Sequence, residues 1–104
     1  MAKAEIDAGI CGFTTRVEAR MEEEMVNLTI QSDCPAIQKL AEDLRQVNPY
    51  KEISARRAVP ATLQAGLKYC THAACPVPVG IIKAIEVAAE LALPRDASIK
   101  ISRE

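Results

Sequence analysis

The sequence predicts an α+β fold in which a small antiparallel sheet, made of an N-terminal hairpin and a C-terminal strand, carries about three helices on one face. Two segments of alternating apolar and polar residues predict the hairpin, and three segments with apolar residues at helical spacing predict the helices. A chain of 104 residues is long enough for one hydrophobic core, so we expect a single domain over residues 1–104.

The predicted strands lie in the first third of the chain. A weak alternation runs from Lys3 to Ile10 and ends at a glycine-flanked turn that contains Cys11. The alternation is clearer over residues 13–21 and 26–31, and three consecutive glutamates between them predict a turn. The resulting hairpin would return the chain, at Cys34, to the end of the sheet at which Cys11 lies.

The first helix is expected to begin at Cys34-Pro35, because proline is favoured at the first helical position. Apolar spacing continues to Val47, and Asn48-Pro49 would end the helix. Cys34 would then be the N-cap, where backbone amides and the helix dipole lower the pKa of a thiol. Ser32 or Asp33 is the alternative cap, which would leave Cys34 simply buried.

Two further helices and a last strand are predicted in the second half. Helix formers from Ala61 to Tyr69 lead into Cys70, and Cys75-Pro76 opens a long apolar helix that would end at Pro94. The alternation from Ser98 to Ser102 predicts a strand at the edge of the hairpin sheet. Between residues 49 and 60 the pattern is weak, and the apolar anchors that we expect are Tyr50, Ile53 and Val59.

Composition excludes several classes of partner. The net charge is -1, and the chain has two tyrosines, one phenylalanine and no tryptophan, so neither a basic field nor a stacking surface for nucleic acid is expected. The first residues are charged and no apolar run could cross a bilayer, which predicts no membrane partner and a cytoplasmic location. Thiols stay reduced there, so four cysteines favour metal or redox chemistry over disulfides.

Cys11, Cys34, Cys70 and Cys75 are the candidate metal ligands. Two of them precede helices that begin with proline, one follows a short helix, and one lies beside the open end of the hairpin, so the layout lets all four meet. Four thiolates suit zinc or an iron–sulfur cluster, and the sequence leaves the choice between these cofactors open. The single histidine, His72, is a possible ligand or a neighbour of the site.

The cysteine pattern resembles the small four-cysteine proteins of the TSCPD type, named for a Thr-Ser-Cys-Pro-Asp motif. The resemblance spans about residues 9–91, and rests on Cys-Gly before the hairpin, Ser-Asp-Cys-Pro-Ala-Ile opening a helix, and a last cysteine opening an Ala/Ile-rich helix. It implies that all four cysteines are the family cysteines and that Cys75-Pro76 is the Cys-Pro step. Ala73-Ala74 replace Thr-Ser, and Val77 replaces Asp.

The layout is also similar to the amino-terminal domain of NifU-like iron–sulfur scaffolds. Those proteins carry an aspartate after Cys-Gly that is linked to cluster lability, where this chain has Phe13. Their Leu-Pro-Pro-Val-Lys chaperone-binding segment precedes the last cysteine, whereas Leu93-Pro94 follows the last helix here. The similarity therefore implies a protein that holds a cluster rather than one that transfers it.

We expect a small metal- or cluster-binding protein that uses its four cysteines for sensing, for electron transfer or as an accessory to a redox enzyme, with an unknown protein partner. One alternative is a thiol redox protein that uses Cys70 and Cys75. The other is an interaction domain with incidental buried cysteines. No general acid–base pair, phosphate-binding loop or nucleophile–histidine–carboxylate set is recognisable, so a binding role is favoured over catalysis and the question of an enzyme stays open.

Overall fold

The structure, a computed structural model, describes residues 1–104 and confirms the α+β class. Four antiparallel strands lie side by side in chain order as one sheet: β1 (Ala2–Asp7), β2 (Thr14–Glu22), β3 (Met25–Ser32) and β4 (Gln46–Val47). Four helices accompany them: α1 (Pro35–Asp43), α2 (Pro49–Glu52), α3 (Ala61–Tyr69) and α4 (Val77–Ala88). None of these helices is long and apolar enough to span a membrane.

The predicted β2–β3 hairpin is confirmed, and its register explains which face is buried. Thr15 pairs with Ser32 and Val17 with Ile30, so the apolar positions of both strands point to the same side. Val17 and Val26 are fully buried there, while the polar residues that alternate with Val17 along β2 are exposed. Helix α4 packs on β1 and β2, and α1 packs on β3, which places the helices on that apolar face.

The predicted C-terminal strand is wrong. Residues Ser98–Ser102 are exposed and join no sheet, and β1 and β4 flank the hairpin instead. Helix α4 ends at Ala88, earlier than Pro94, because Glu90 adopts a left-handed conformation with φ of 61°. The amides of Glu90 and Leu91 donate to the carbonyls of Val87 and Glu86, the Schellman pattern that closes a helix and redirects the chain.

Two boundaries also differ from expectation. Helix α1 ends at Asp43, and Val47 is buried in β4, where it pairs with Val26, because a β-branched residue can be buried equally well in a strand. Strand β1 ends at Asp7, whose carboxylate accepts from the amide of Gly9, so Ile10 lies fully exposed in a turn.

The segment between α1 and α3 is held by other residues than those predicted. Tyr50, Ile53 and Val59 are all exposed, so their prediction as anchors is wrong. The buried residues are Pro49, Glu52 and Pro60, which carry little or no apolar periodicity. Glu52 is only 3% exposed, and its carboxyl group binds the start of α3 rather than solvent.

Candidate functional site

One end of the sheet carries Cys34, Cys70, Cys75 and the β1–β2 loop with Cys11, and we call this end the cysteine pole. A continuous series of contacts runs across it. Gly80 of α4 lies directly against Ile6 of β1, which pairs with Thr15 of β2. The Thr15 hydroxyl donates to Ser32 Oγ at 3.0 Å, and the same oxygen accepts from the amide of Cys34 at 3.1 Å. These contacts place the beginning of α4, the β1–β2 loop and Cys34 at the same end.

Cys34 is the N-cap of α1, as predicted, and Pro35 is the first helical residue. Its side chain makes no capping hydrogen bond, and Ser32, the alternative cap, instead binds the amide of Cys34. The half-buried side chain of Cys34 packs against the core. Cys34 therefore lies at the amino end of α1, with its side chain between solvent and the core.

Cys70 and Cys75 stand at the two ends of the short loop between α3 and α4. Cys70 caps the end of α3 and donates its amide to the carbonyl of Gly66 at 2.9 Å. Cys75 donates its amide to the carbonyl of His72 at 3.2 Å, which folds the loop back on itself. Both side chains are half-buried against the core. The loop residues between them, Thr71 to Ala74, are exposed.

Close packing of α3 on α4 keeps these two cysteines near each other. A methyl group at Gly66 would lie only 2.7 Å from Cγ of Pro78, so the Pro78 ring packs directly on the α3 backbone at Gly66. Both Gly66 and Pro78 are buried. Because Cys70 follows Gly66 by about one helical turn and Cys75 lies three residues before Pro78, this contact limits the separation of the two loop ends.

The pKa of the Cys70 thiol is raised from 9.0 to about 11, first by burial, then by the charge and the hydrogen bond of Cys75, and last by the charge of Cys34. Each cause disfavours the thiolate of Cys70. Cys34 and Cys75 therefore both lie close to Cys70. The chain thus assembles Cys34, Cys70 and Cys75 from three different helix ends.

Cys11 and His72 are placed differently. Cys11 is exposed in the β1–β2 loop, between Gly9 and Gly12, which both have positive φ angles. This loop lies at the cysteine pole, as predicted, but Cys11 is not among the groups that affect Cys70. His72 is exposed in the α3–α4 loop. No group of three or more His, Cys, Asp or Glu side chains in the structure has the geometry to hold a metal ion, so the four sulfurs do not form a closed site.

Glu52 was missed by sequence reasoning, although it positions the helix that carries Cys70. Its carboxyl oxygens accept from the amides of Ala61 and Thr62 at 3.1 and 2.8 Å and from the Thr62 hydroxyl at 2.6 Å. Glu52 therefore caps α3 from outside the helix. The signal available in the sequence is Pro60 at the N-cap, since proline offers no side-chain acceptor and the first amides must find one elsewhere.

The raised pKa of Cys70 predicts a specific pH dependence for the metal-free protein. Since folding raises this pKa above 9.0, the contribution of Cys70 to stability is complete below about pH 9 and is lost as the pH rises through about 11. We expect the free energy of unfolding in urea to fall more steeply across this range for the native chain than for Cys70→Ala. Parallel pH profiles for the two proteins would contradict the assignment.

Comparison with known proteins gives one match. The profile of a family described as "Family of unknown function (DUF6951)" matches residues 2–101. No curated protein and no solved structure matches the chain. The matched range includes all four cysteines and every helix and strand described above.

Proposed function

This chain belongs to DUF6951, a family of unknown function, and from its own cysteines we propose that it binds zinc or an iron–sulfur cluster. The observation that supports the proposal is that Cys34 and Cys75 both lie close to Cys70 at the cysteine pole, although the three residues come from separate helix ends. Thiolates are the ligands that zinc and iron–sulfur clusters take from proteins, and Cys11 on the adjacent loop is the proposed fourth ligand.

The electrostatics of Cys70 support a cation as its partner. Burial and the neighbouring cysteines raise the pKa of Cys70 to about 11, which leaves it a poor nucleophile at neutral pH. A bound cation would reverse both effects, because its positive charge stabilises thiolates and favours release of the thiol protons. The same crowding that disfavours free thiolates therefore favours a metal-bound set.

Metal binding in this proposal requires the β1–β2 loop to close. The sulfurs do not form a closed site in the metal-free arrangement, so the ion would draw Cys11 towards Cys34, Cys70 and Cys75. The β1–β2 loop can follow, since Cys11 is exposed and a methyl group at either Gly9 or Gly12 would meet no atom within 4 Å. Binding would thus be coupled to ordering of the cysteine pole.

A second candidate function is thiol redox exchange by Cys70 and Cys75, and the observation that favours it is that two half-buried free thiols lie at the two ends of one short loop. In this reaction the two thiols would form one disulfide and give two electrons and two protons to an oxidant such as glutathione disulfide, which is reduced to two glutathione thiols. The raised pKa of Cys70 slows this reaction, so we rank it second.

Anaerobic purification of the full chain distinguishes the two functions. We expect zinc by elemental analysis, or iron and acid-labile sulfide with visible absorption, at about one site per chain. Cys34, Cys70 and Cys75 should then resist alkylation until a chelator is added. Metal-free protein in which glutathione disulfide links Cys70 to Cys75 would support the redox function instead. Metal-free protein with all thiols freely alkylated would contradict both.

A further inference from the structure

Residues 89–104, which we call the arm, follow α4 without joining the rest of the molecule. No side chain of the arm belongs to the hydrophobic core or packs against it, and beyond Leu91 its backbone makes no hydrogen bond to another segment. Ile99 and Ile101 are 78% and 89% exposed. The arm contributes to a molecule that measures 45 Å along its longest axis and 27 and 26 Å along the others. Two β-branched apolar residues thus lie in solvent on an extended segment.

Strand β1 offers an unused edge to such a segment. It forms the end of the sheet and pairs only with β2, so the amides and carbonyls on its other side, along six residues, have no strand partner. Its core-facing residues are covered incompletely, since Ala4 and Ile6 are only half-buried. A free edge and a partly open apolar face therefore lie side by side.

The sequence of the arm complements this edge. In Ser98–Ser102 the isoleucines alternate with polar residues, as in a strand with one buried face. When Lys100 is placed opposite Glu5, Ile99 and Ile101 fall beside Ala4 and Ile6 whether the pairing is parallel or antiparallel. The same register puts the lysine ammonium next to the Glu5 carboxylate on the outer face of the sheet, where Arg16 also pairs with it. Apolar and charged positions therefore match together in this register.

We infer that the arm of one copy of this chain adds Ser98–Ser102 as a strand to β1 of a second copy, and that the exchange is reciprocal. The left-handed turn at Glu90 redirects the chain after α4, and the arm does not pair with its own β1, so that edge is free. Each copy then gives one arm and receives one, so a two-fold dimer occupies the β1 edges of both copies. Backbone hydrogen bonds would supply affinity, and the isoleucines would fix the register.

The test is the mass of the full chain in solution, measured by light scattering from low to high micromolar concentration. We expect twice the chain mass of 11.3 kDa for the native protein. The double variant Ile99→Glu, Ile101→Glu should be monomeric with unchanged helical content, because the arm takes no part in the core. The matched control, Ser98→Glu with Ser102→Glu, adds the same charge to the opposite face of the arm and should remain dimeric.

Charge reversal tests the register. Glu5→Lys should weaken dimerisation about threefold, as expected for loss of an exposed ion pair, and the double variant Glu5→Lys, Lys100→Glu should restore it. A native chain that stays monomeric throughout would overturn the inference, including the case in which the arm pairs with β1 of its own chain. Dimers that survive the isoleucine substitutions would also overturn it, and failure of the charge swap to restore affinity would overturn the register.

Discussion

Replacing Cys70 with serine is expected to weaken zinc binding about 100-fold. Four-thiolate zinc sites are worth about 10–16 kcal/mol at neutral pH, so loss of one ligand removes on the order of 3 kcal/mol, which corresponds to two decades in the dissociation constant. Serine keeps the size of the side chain, but its hydroxyl does not ionise near neutral pH and is a poor ligand for zinc. Competition with a chromophoric chelator under anaerobic conditions measures the change.

Two variants of the same loop serve as controls for this experiment. Ala74→Ser adds a hydroxyl at an exposed position of the loop, and His72→Ala removes the only histidine. Both should bind zinc as tightly as the native chain. A large loss in His72→Ala with none in Cys70→Ser would make the histidine the ligand and contradict the proposed site. Full affinity in Cys11→Ser would contradict the role of Cys11 as fourth ligand.

Glu52→Ala is expected to lower the free energy of unfolding by about 3 kcal/mol or more. The substitution leaves two backbone amides and a buried hydroxyl without their acceptor, and hydrogen bonds to a carboxyl group at a buried site are worth about 1.5–3 kcal/mol each. Urea unfolding of metal-free protein at one fixed concentration measures the loss. Thr62→Val removes only the hydroxyl and should cost about 1 kcal/mol.

An exposed glutamate provides the matched control for Glu52. Glu42→Ala, on the outer side of α1, removes a carboxylate that makes no side-chain hydrogen bond and should change stability by less than about 0.5 kcal/mol. Equal losses in Glu42→Ala and Glu52→Ala would show that the buried cap contributes nothing beyond helix propensity. A wild-type melting curve for Glu52→Ala would contradict the role assigned to its carboxyl group.

The elements that the sequence predicted well are those whose local pattern is specific. Residues 13–21 alternate with period two, and the register from Thr15 to Met21 follows from burying one face. Cys34-Pro35 carries its own start signal, so the N-cap was predicted correctly. The α3 boundaries were predicted from helix formers alone and match Ala61–Tyr69. In each case, neighbouring residues contain the information that decides the structure.

The failures concern information that lies elsewhere in the chain. Ser98–Ser102 has the alternation of a strand, but the alternation does not determine which strand it would pair with. In this chain β1 and β4 complete the sheet instead. The sequence around Glu52 predicts an exposed residue. Its burial could not be predicted, because it depends on backbone amides nine and ten positions later in the chain. The closeness of Cys34 and Cys75 to Cys70 was predicted from the order of the helices and strands. The exposure of Cys11 could not be predicted in this way, because it depends on the conformation of a loop. The TSCPD-type resemblance stays a prediction.

The contact between Gly80 and Ile6 also has a consequence for the order of folding. Strands β1, β2 and β3 pair with their neighbours in the chain, so the sheet closes through short loops. Cys75 reaches the cysteine pole when α4 docks on β1, a contact between distant parts of the sequence with a large loop-closure entropy. We therefore expect Cys75 to arrive late, and its protection from alkylation during refolding would time this step of tertiary assembly.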